Sequence, residues 1–226
     1  MTAACLLAGL VLAGCSRQTQ FTYEGSRLES MARDLQENAQ ADSFAKNLCV
    51  VTGEEGEEDA SVTAEAAAAF GIDSKQVIFQ KNPFERLYPA SITKIMTALI
   101  AIRDGDLTDS VTVGPETVIT ETGASLAHIN PGDTLTMEQL LYGLMLPSGN
   151  DAGAAIAVHM AGSTEAFAEK MNETAHALGA TDTHFVNPHG LNNEDHYTTA
   201  YDLYLIFNEA LKYPEFRKII GTVSYQ

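Results

Sequence analysis

A serine hydroxyl is a weak nucleophile until a neighbouring base takes its proton, and Ser91 and Lys94 are spaced for that exchange. They stand three residues apart in Pro89-Ala90-Ser91-Ile92-Thr93-Lys94. On a helix that spacing puts both side chains on one face. A lysine amine can act as the base where burial disfavours its charged form. A helix start adds free N–H groups and a positive dipole end, which stabilise developing negative charge. The same spacing also fits a capping serine beside a surface lysine, so the pair alone does not decide. A second set, Ser148-Gly149-Asn150, lies downstream between two apolar runs. Side chains on a turn held by rigid elements can point into a cleft. Ser148 could relay a proton to a leaving amine there. Asn150, with two donors and an acceptor, could hold a substrate amide. A plain helix–turn–helix connection would use the same turn-favouring residues.

These residues need rigid elements behind them. From Tyr88 the pattern turns helical: Ile92, Ile95, Met96, Leu99 and Ile100 mark one face, and Ala98, Ala101 and Ile102 fill much of the rest. A helix apolar nearly all round belongs in a core. Arg103-Asp104-Gly105-Asp106 stops it. Thr136-Met137-Glu138-Gln139 reads as a capping box, with a helix to about Leu146. Pro147-Ser148-Gly149-Asn150 interrupts, and a further helix follows from Asp151 to Ala161. Ser163 caps a helix to Leu178 with Gly179 as its stop. Thr198 or Thr199 opens another to Leu211, and Pro214 begins a short last one. Asn47–Thr52 reads as a strand. Ala64–Phe70 has helix-favouring alanines, but the sequel Ile72 to Phe79 resembles strand, polar turn and strand, so a β-hairpin is expected. Asp109–Val113 and Ser125–Ile129 read as short strands or loop edges, and Val223–Gln226 as a strand starting. Helices in the middle with strands at the edges suggest an α+β or three-layer arrangement.

The motifs resemble those of the serine D-alanyl-D-alanine carboxypeptidases, the low-molecular-mass penicillin-binding proteins. Besides the two sets above, Thr183-His184-Phe185-Val186-Asn187-Pro188-His189-Gly190-Leu191 and the following His196-Tyr197-Thr198-Thr199-Ala200-Tyr201-Asp202-Leu203 are similar to that family. The likeness runs from about Ala66 to Gly221. It implies an α+β, β-lactamase/penicillin-binding-protein-like serine transpeptidase fold, with a helical subdomain and an incomplete antiparallel sheet. It implies that Ser91 attacks the carbonyl between two terminal D-alanines of a peptidoglycan stem peptide. Lys94 accepts the serine proton, Ser148 passes a proton to the departing D-alanine, and Asn150 orients substrate and lysine. β-Lactams would be covalent inhibitors. The Ser91 N–H would be one oxyanion donor, and the second would lie beside a K-T-G segment. No lysine in this sequence is followed by Thr-Gly or Ser-Gly. The expectation is a domain over residues 46–226 that misses its C-terminal strands, with activity of the chain reduced for that reason. Two other readings follow from the same residues. One is a wall-peptide- or penicillin-binding sensor that captures without turnover. The other is a serine β-lactamase, disfavoured by Gly149 where that pattern has Asp.

Composition bounds the partners, and the charge reads first as solubility. The 226 residues hold 30 Asp and Glu against 13 Lys and Arg, a formal charge of −17. Such a chain repels phosphate backbones and anionic headgroups, which argues against nucleic acid as a partner. The three cysteines form no CxxC pair. His184, His189 and His196 lack the H-E-x-x-H spacing, so no metal and no cofactor is expected. Asn187 and His189, near Pro and Gly, read as shaping a loop.

The N-terminus reads as an address. Ala3 to Gly14 is almost unbroken apolar and ends in Leu12-Ala13-Gly14-Cys15, followed by Ser16-Arg17-Gln18. The run is about half of the ~20 residues that span a bilayer and suits a secretory signal. It resembles the lipobox of bacterial lipoproteins, although no Lys or Arg precedes it. That implies a signal peptide over 1–14, lipidation of Cys15, and an extracytoplasmic protein anchored to the membrane by lipid. Residues 15–45 would be a polar tether, with one short helix marked by Leu28, Met31, Ala32 and Leu35. Gly53–Asp59 reads as an exposed acidic loop.

Overall fold

The computed structural model describes residues 47–51 and 61–225, which belong to one compact unit, Asn47–Gln226. The signal peptide, Cys15, the tether helix and the acidic loop lie outside the described residues. The hairpin forms as expected. Strands β1 (Ala67–Gly71) and β2 (Gln76–Lys81) pair antiparallel with Ala69 opposite Phe79. Lys75 closes the turn with φ +56°. A second antiparallel pair joins β3 (Ser110–Thr112) to β4 (Thr134–Thr136), with Val111 opposite Leu135.

Among the described residues six α-helices carry the rest: α1 (Lys94–Asp104), α2 (Met137–Met145), α3 (Asn150–Ala161), α4 (Thr164–Ala177), α5 (Ala200–Ala210) and α6 (Pro214–Ile220). α1 is the hub. It packs against α2, α3, α4, α5 and α6, which its all-round apolar sequence requires. Met96, Ala98, Leu99, Ile100 and Ala101 are buried along it. Leu140, Leu141 and Leu144 of α2 and Ile156 of α3 close the same core. Burying each such leucine or isoleucine contributes about 1.5–3 kcal/mol, and that packing fixes the start of α1. The small residues of α3 let other chain segments come close. A Cβ on Gly153 would stand 3.2 Å from Leu144 and 3.4 Å from the Cβ of His189.

Two expected strands do not form, and one reading left open between strand and loop edge is decided. Asn47–Val51 pairs with no strand among the described residues. The Cys49 N–H donates to the Tyr204 hydroxyl (2.8 Å), and the Cys49 carbonyl accepts from the Tyr201 hydroxyl (3.0 Å), so two phenols of α5 take the place of a neighbouring strand. Ser125–Ile129 is a loop edge rather than a strand, because the Ala127 and Ile129 N–H groups go to the Asp151 carboxylate. Val223–Tyr225 is not a strand either. Tyr225 stacks on Tyr142 at 3.8 Å between ring centroids.

Candidate active site

Ser91 lies in a 3-10 turn, Ala90–Thr93, that runs directly into α1. The sequence expectation of a helix start is met, but the first turn is wound more tightly than an α-helix. Pro89 leads into it, and Ala90 sits at φ +48°, a left-handed conformation that a non-glycine residue adopts at a cost. Ser91 is exposed at the mouth of the site, while Lys94 is buried beneath it.

Three oxygens surround the Lys94 amine. Nζ lies 3.2 Å from Ser91 Oγ, 2.7 Å from Asn150 Oδ1 and 2.8 Å from the His189 carbonyl. Amide and peptide oxygens can only accept. In the neutral amine, the two N–H groups therefore stay committed to Asn150 and His189, and the lone pair is left facing the Ser91 hydroxyl. Burial pulls the Lys94 pKa down to about 8, against a smaller opposing pull from Asp151. At neutral pH about a tenth of such an amine is already free base.

Asn150 is the first residue of α3, after Ser148 at φ +60° and Gly149. A Cβ on Gly149 would meet the Gly143 carbonyl at 2.6 Å, so the turn needs glycine there. Asp151 is buried and anchors this corner. Its carboxylate accepts the N–H groups of Ala127 (2.8 Å), Ile129 (2.9 Å) and Ala152 (2.9 Å). The structure thus brings Ser91, Lys94 and Asn150 into one hydrogen-bonded group. Ser148 adjoins it through the chain. Among the described residues its hydroxyl has no hydrogen-bond partner.

The Asn187–Leu191 loop closes the other side. The Pro188 carbonyl accepts from Thr97 Oγ1 (2.6 Å), one residue before the His189 carbonyl that faces Lys94. Gly190, at φ +88°, lies so close to the turn that carries Ser91 that a Cβ would stand 1.8 Å from the Ala90 carbonyl. Asn187 ties the loop to itself through Leu191, His189 and Gly190, the loop-shaping part the sequence suggested for it. Among the described residues there is no group of three or more His, Cys, Asp or Glu that could hold a metal.

The family model for D-alanyl-D-alanine carboxypeptidase, Peptidase S11, matches residues 53–226. This chain belongs to that family. As a D-alanyl-D-alanine carboxypeptidase family member it is 39% identical over 174 residues to "D-alanyl-D-alanine carboxypeptidase DacF" of Bacillus subtilis strain 168, covering 75% of this chain and 45% of that protein. It is 37% identical over 155 residues to DacB2 of Mycobacterium tuberculosis, covering 68% and 52%. The chain spans about half the length of these curated relatives. Its fold matches a mutant of the Streptomyces K15 DD-transpeptidase with a TM-score of 0.70 at 33% identity, over 74% of this chain and 68% of that one. It also matches the carboxypeptidase DacD of Francisella tularensis at 0.68 and 30% identity, over 76% and 42%. The α+β, penicillin-binding-protein-like fold implied by the motifs is therefore the fold of this family member.

Sequence reasoning missed three parts of this site. Asp151 carried a signal, an acidic residue in the first turn directly after Ser-x-Asn. The His189 carbonyl carried none, because a peptide oxygen is identical at every position. His196, which meets Thr93 at 2.8 Å, is too far along the chain for any spacing rule to pair the two.

Proposed function

We propose that the protein is a serine-type D-Ala-D-Ala carboxypeptidase that works through an acyl-enzyme on Ser91. Ser91 Oγ attacks the carbonyl carbon between the two terminal D-alanines of a peptidoglycan stem peptide, and its proton passes to Lys94 Nζ. The Ser91 N–H stabilises the oxyanion, as the first donor of a turn that opens a helix. Collapse of the tetrahedral intermediate breaks the C–N bond. Ser148 relays the proton held by Lys94 to the departing amine, and free D-alanine leaves. Water then hydrolyses the Ser91 ester, which restores the hydroxyl. Asn150 holds the lysine through Oδ1 and leaves its amide nitrogen for the substrate. β-Lactams acylate the same hydroxyl and remain attached.

The observation that carries this reading is the Lys94 environment. Two acceptor-only oxygens occupy two N–H groups, and burial keeps the pKa near 8. The family match supports the substrate class. The reading also includes an extracytoplasmic location and a lipid anchor at Cys15. Among the described residues no helix is long and apolar enough to cross a membrane.

The product of the complete gene, incubated with labelled penicillin and analysed by mass spectrometry, should carry one adduct on the peptide that contains Ser91. It should also release D-alanine from a D-Ala-D-Ala peptide. Undiminished labelling of Ser91→Ala would overturn the assignment. For the anchor, a lipid mass on Cys15 that disappears in Cys15→Ser is expected, and membrane partitioning of the serine variant would refute it.

A further inference from the structure

His196 lies outside the three-oxygen group yet touches both halves of its support. The ring is buried, 2% exposed, and packs edge-on against Phe185 at 5.5 Å. Its Nδ1 accepts the Val186 N–H at 3.2 Å. A neutral imidazole has one acceptor nitrogen and one N–H, so the proton is on Nε2. That N–H donates to Thr93 Oγ1 at 2.8 Å. Thr93 is wholly buried and is the residue between Ile92 and Lys94 in the nucleophile turn. Its hydroxyl does not cap α1; it accepts from His196.

Val186 and His196 bracket the loop that contains Pro188, His189 and Gly190. One imidazole therefore joins the entry of the loop, its exit and the turn that carries Ser91 and Lys94. The loop makes its own contacts with the same helix: the Pro188 carbonyl with Thr97, the His189 carbonyl with Lys94, and Gly190 against Ala90. We propose that His196 is a positioning residue that holds the loop against the nucleophile turn, so that the His189 carbonyl keeps one Lys94 N–H and the lysine lone pair faces Ser91. The proposal rests on the reading of Lys94 as the base. The tie requires a neutral ring, because a second proton on Nδ1 would face the Val186 N–H. Burial in the first place, and then the charge of His184, hold the His196 pKa down to about 4. The titratable groups facing this corner are His184, His189, itself held low by burial and by Lys94, and Lys94.

The test uses the product of the complete gene and two variants, His196→Gln and Thr93→Val. The second removes the same hydrogen bond without changing side-chain volume, should the first fail to fold. NMR of the Lys94 Cε resonance follows the lysine titration whether or not the protein turns over. His159→Gln, a change at the exposed far end of α3, serves as the control. A carbonyl accepting from the ammonium favours the charged form. Its withdrawal should therefore lower the Lys94 midpoint by about half a pH unit or more in both variants and leave it in place in the control. Penicillin acylation should fall roughly tenfold in both. A lysine midpoint unchanged in both variants would overturn the role of His196. Absence of penicillin labelling in the parent would instead overturn the base reading, and the titration would still report on His196 separately.

Discussion

Among the described residues, all but one of the α-helix starts fall into two kinds. α2, α4 and α5 cap themselves: Thr136, Ser163 and Thr199 each accept the N–H three residues on, and Thr136 forms a full capping box with Gln139. α6 opens on Pro214, which has no N–H to cap. α1 and α3 differ from all of these. The hydroxyl of Thr93, at the N-cap of α1, is taken by His196, and Gly149, at the N-cap of α3, has no side chain. Both starts follow a non-glycine residue in the left-handed region, Ala90 and Ser148. Side-chain caps stabilise a helix by about 1 kcal/mol. The two helices that carry Lys94 and Asn150 forgo that stabilisation and accept backbone strain as well. The difference separates helix ends that serve stability from helix ends that serve a site.

The largest test of this contrast is at Lys94. Lys94→Ala should lower penicillin acylation by about 10²–10⁴-fold, the span of general-base catalysis, with the circular dichroism of the parent. Lys94→Arg should not restore it, since guanidinium stays protonated. Parent-rate acylation by the arginine variant would show that the lysine is structural. The pH profile carries the same argument. With a Lys94 pKa near 8, acylation should rise as pH climbs towards 8 and level off above it, because the free base is the reactive form. A profile flat from pH 6 to 9 would contradict this. Next in size is Gly190→Ala. The added methyl must move the Ala90 carbonyl, which lies 1.8 Å from it, at a φ that alanine resists. Acylation should drop about 10-fold or more, measured by labelling rate, while Gly162→Ala should cost stability alone. A Cβ at Gly162 has open space, and its positive φ is the only obstacle.

A subtler effect belongs to Asp151. Asp151→Asn supplies one acceptor oxygen where three N–H groups now converge, and a buried N–H left without a partner costs about 1–3 kcal/mol. The carboxylate also favours the charged lysine. Its loss should therefore lower the Lys94 midpoint and move the rise in acylation to lower pH. A rise shifted to higher pH would exclude that coupling.

How much of this was legible in the sequence follows from the range of each interaction. The capped helices were legible because a cap is a contact over three residues: Thr136 with Gln139, and Ser163 before Ala166. The buried face of α1 was legible because periodicity records burial. Ser91 and Lys94 were legible as a pair for the same local reason. The irregular edges were not. Asn47–Val51 is apolar enough for a strand, but Tyr201 and Tyr204 supply its partners from the far end of the chain. Ser125–Ile129 could be read locally as either strand or loop edge, and the Asp151 carboxylate, which claims its N–H groups, decides for the loop edge. His196 belongs to this second class, since its meaning depends on Thr93. Local rules found most of the elements and the Ser91–Lys94 pair. Contacts between distant segments, which local rules do not encode, built the support around them.

The smallest expected effect tests the other half of the comparison. Ser163 accepts the Ala166 N–H at 3.0 Å and starts α4, a helix whose residues do not touch the Ser91–Lys94–Asn150 group by any hydrogen bond among the described residues. Removing the hydroxyl in Ser163→Ala leaves one N–H to water and should cost about 1 kcal/mol. For a domain of this size that is about 2–4 °C in Tm, readable by calorimetry. Acylation by penicillin should stay at the parent rate, because α1 and α3 keep their own starts. The converse substitution is Thr93→Ser, at a helix start that lacks a cap. It retains the hydroxyl for His196 and should shift Tm no more than Ser163→Ala does. If Ser163→Ala slows acylation as much as it lowers stability, the two kinds of helix start are not separable. The site would then depend on the stability of the whole helical body rather than on the two strained turns that open α1 and α3.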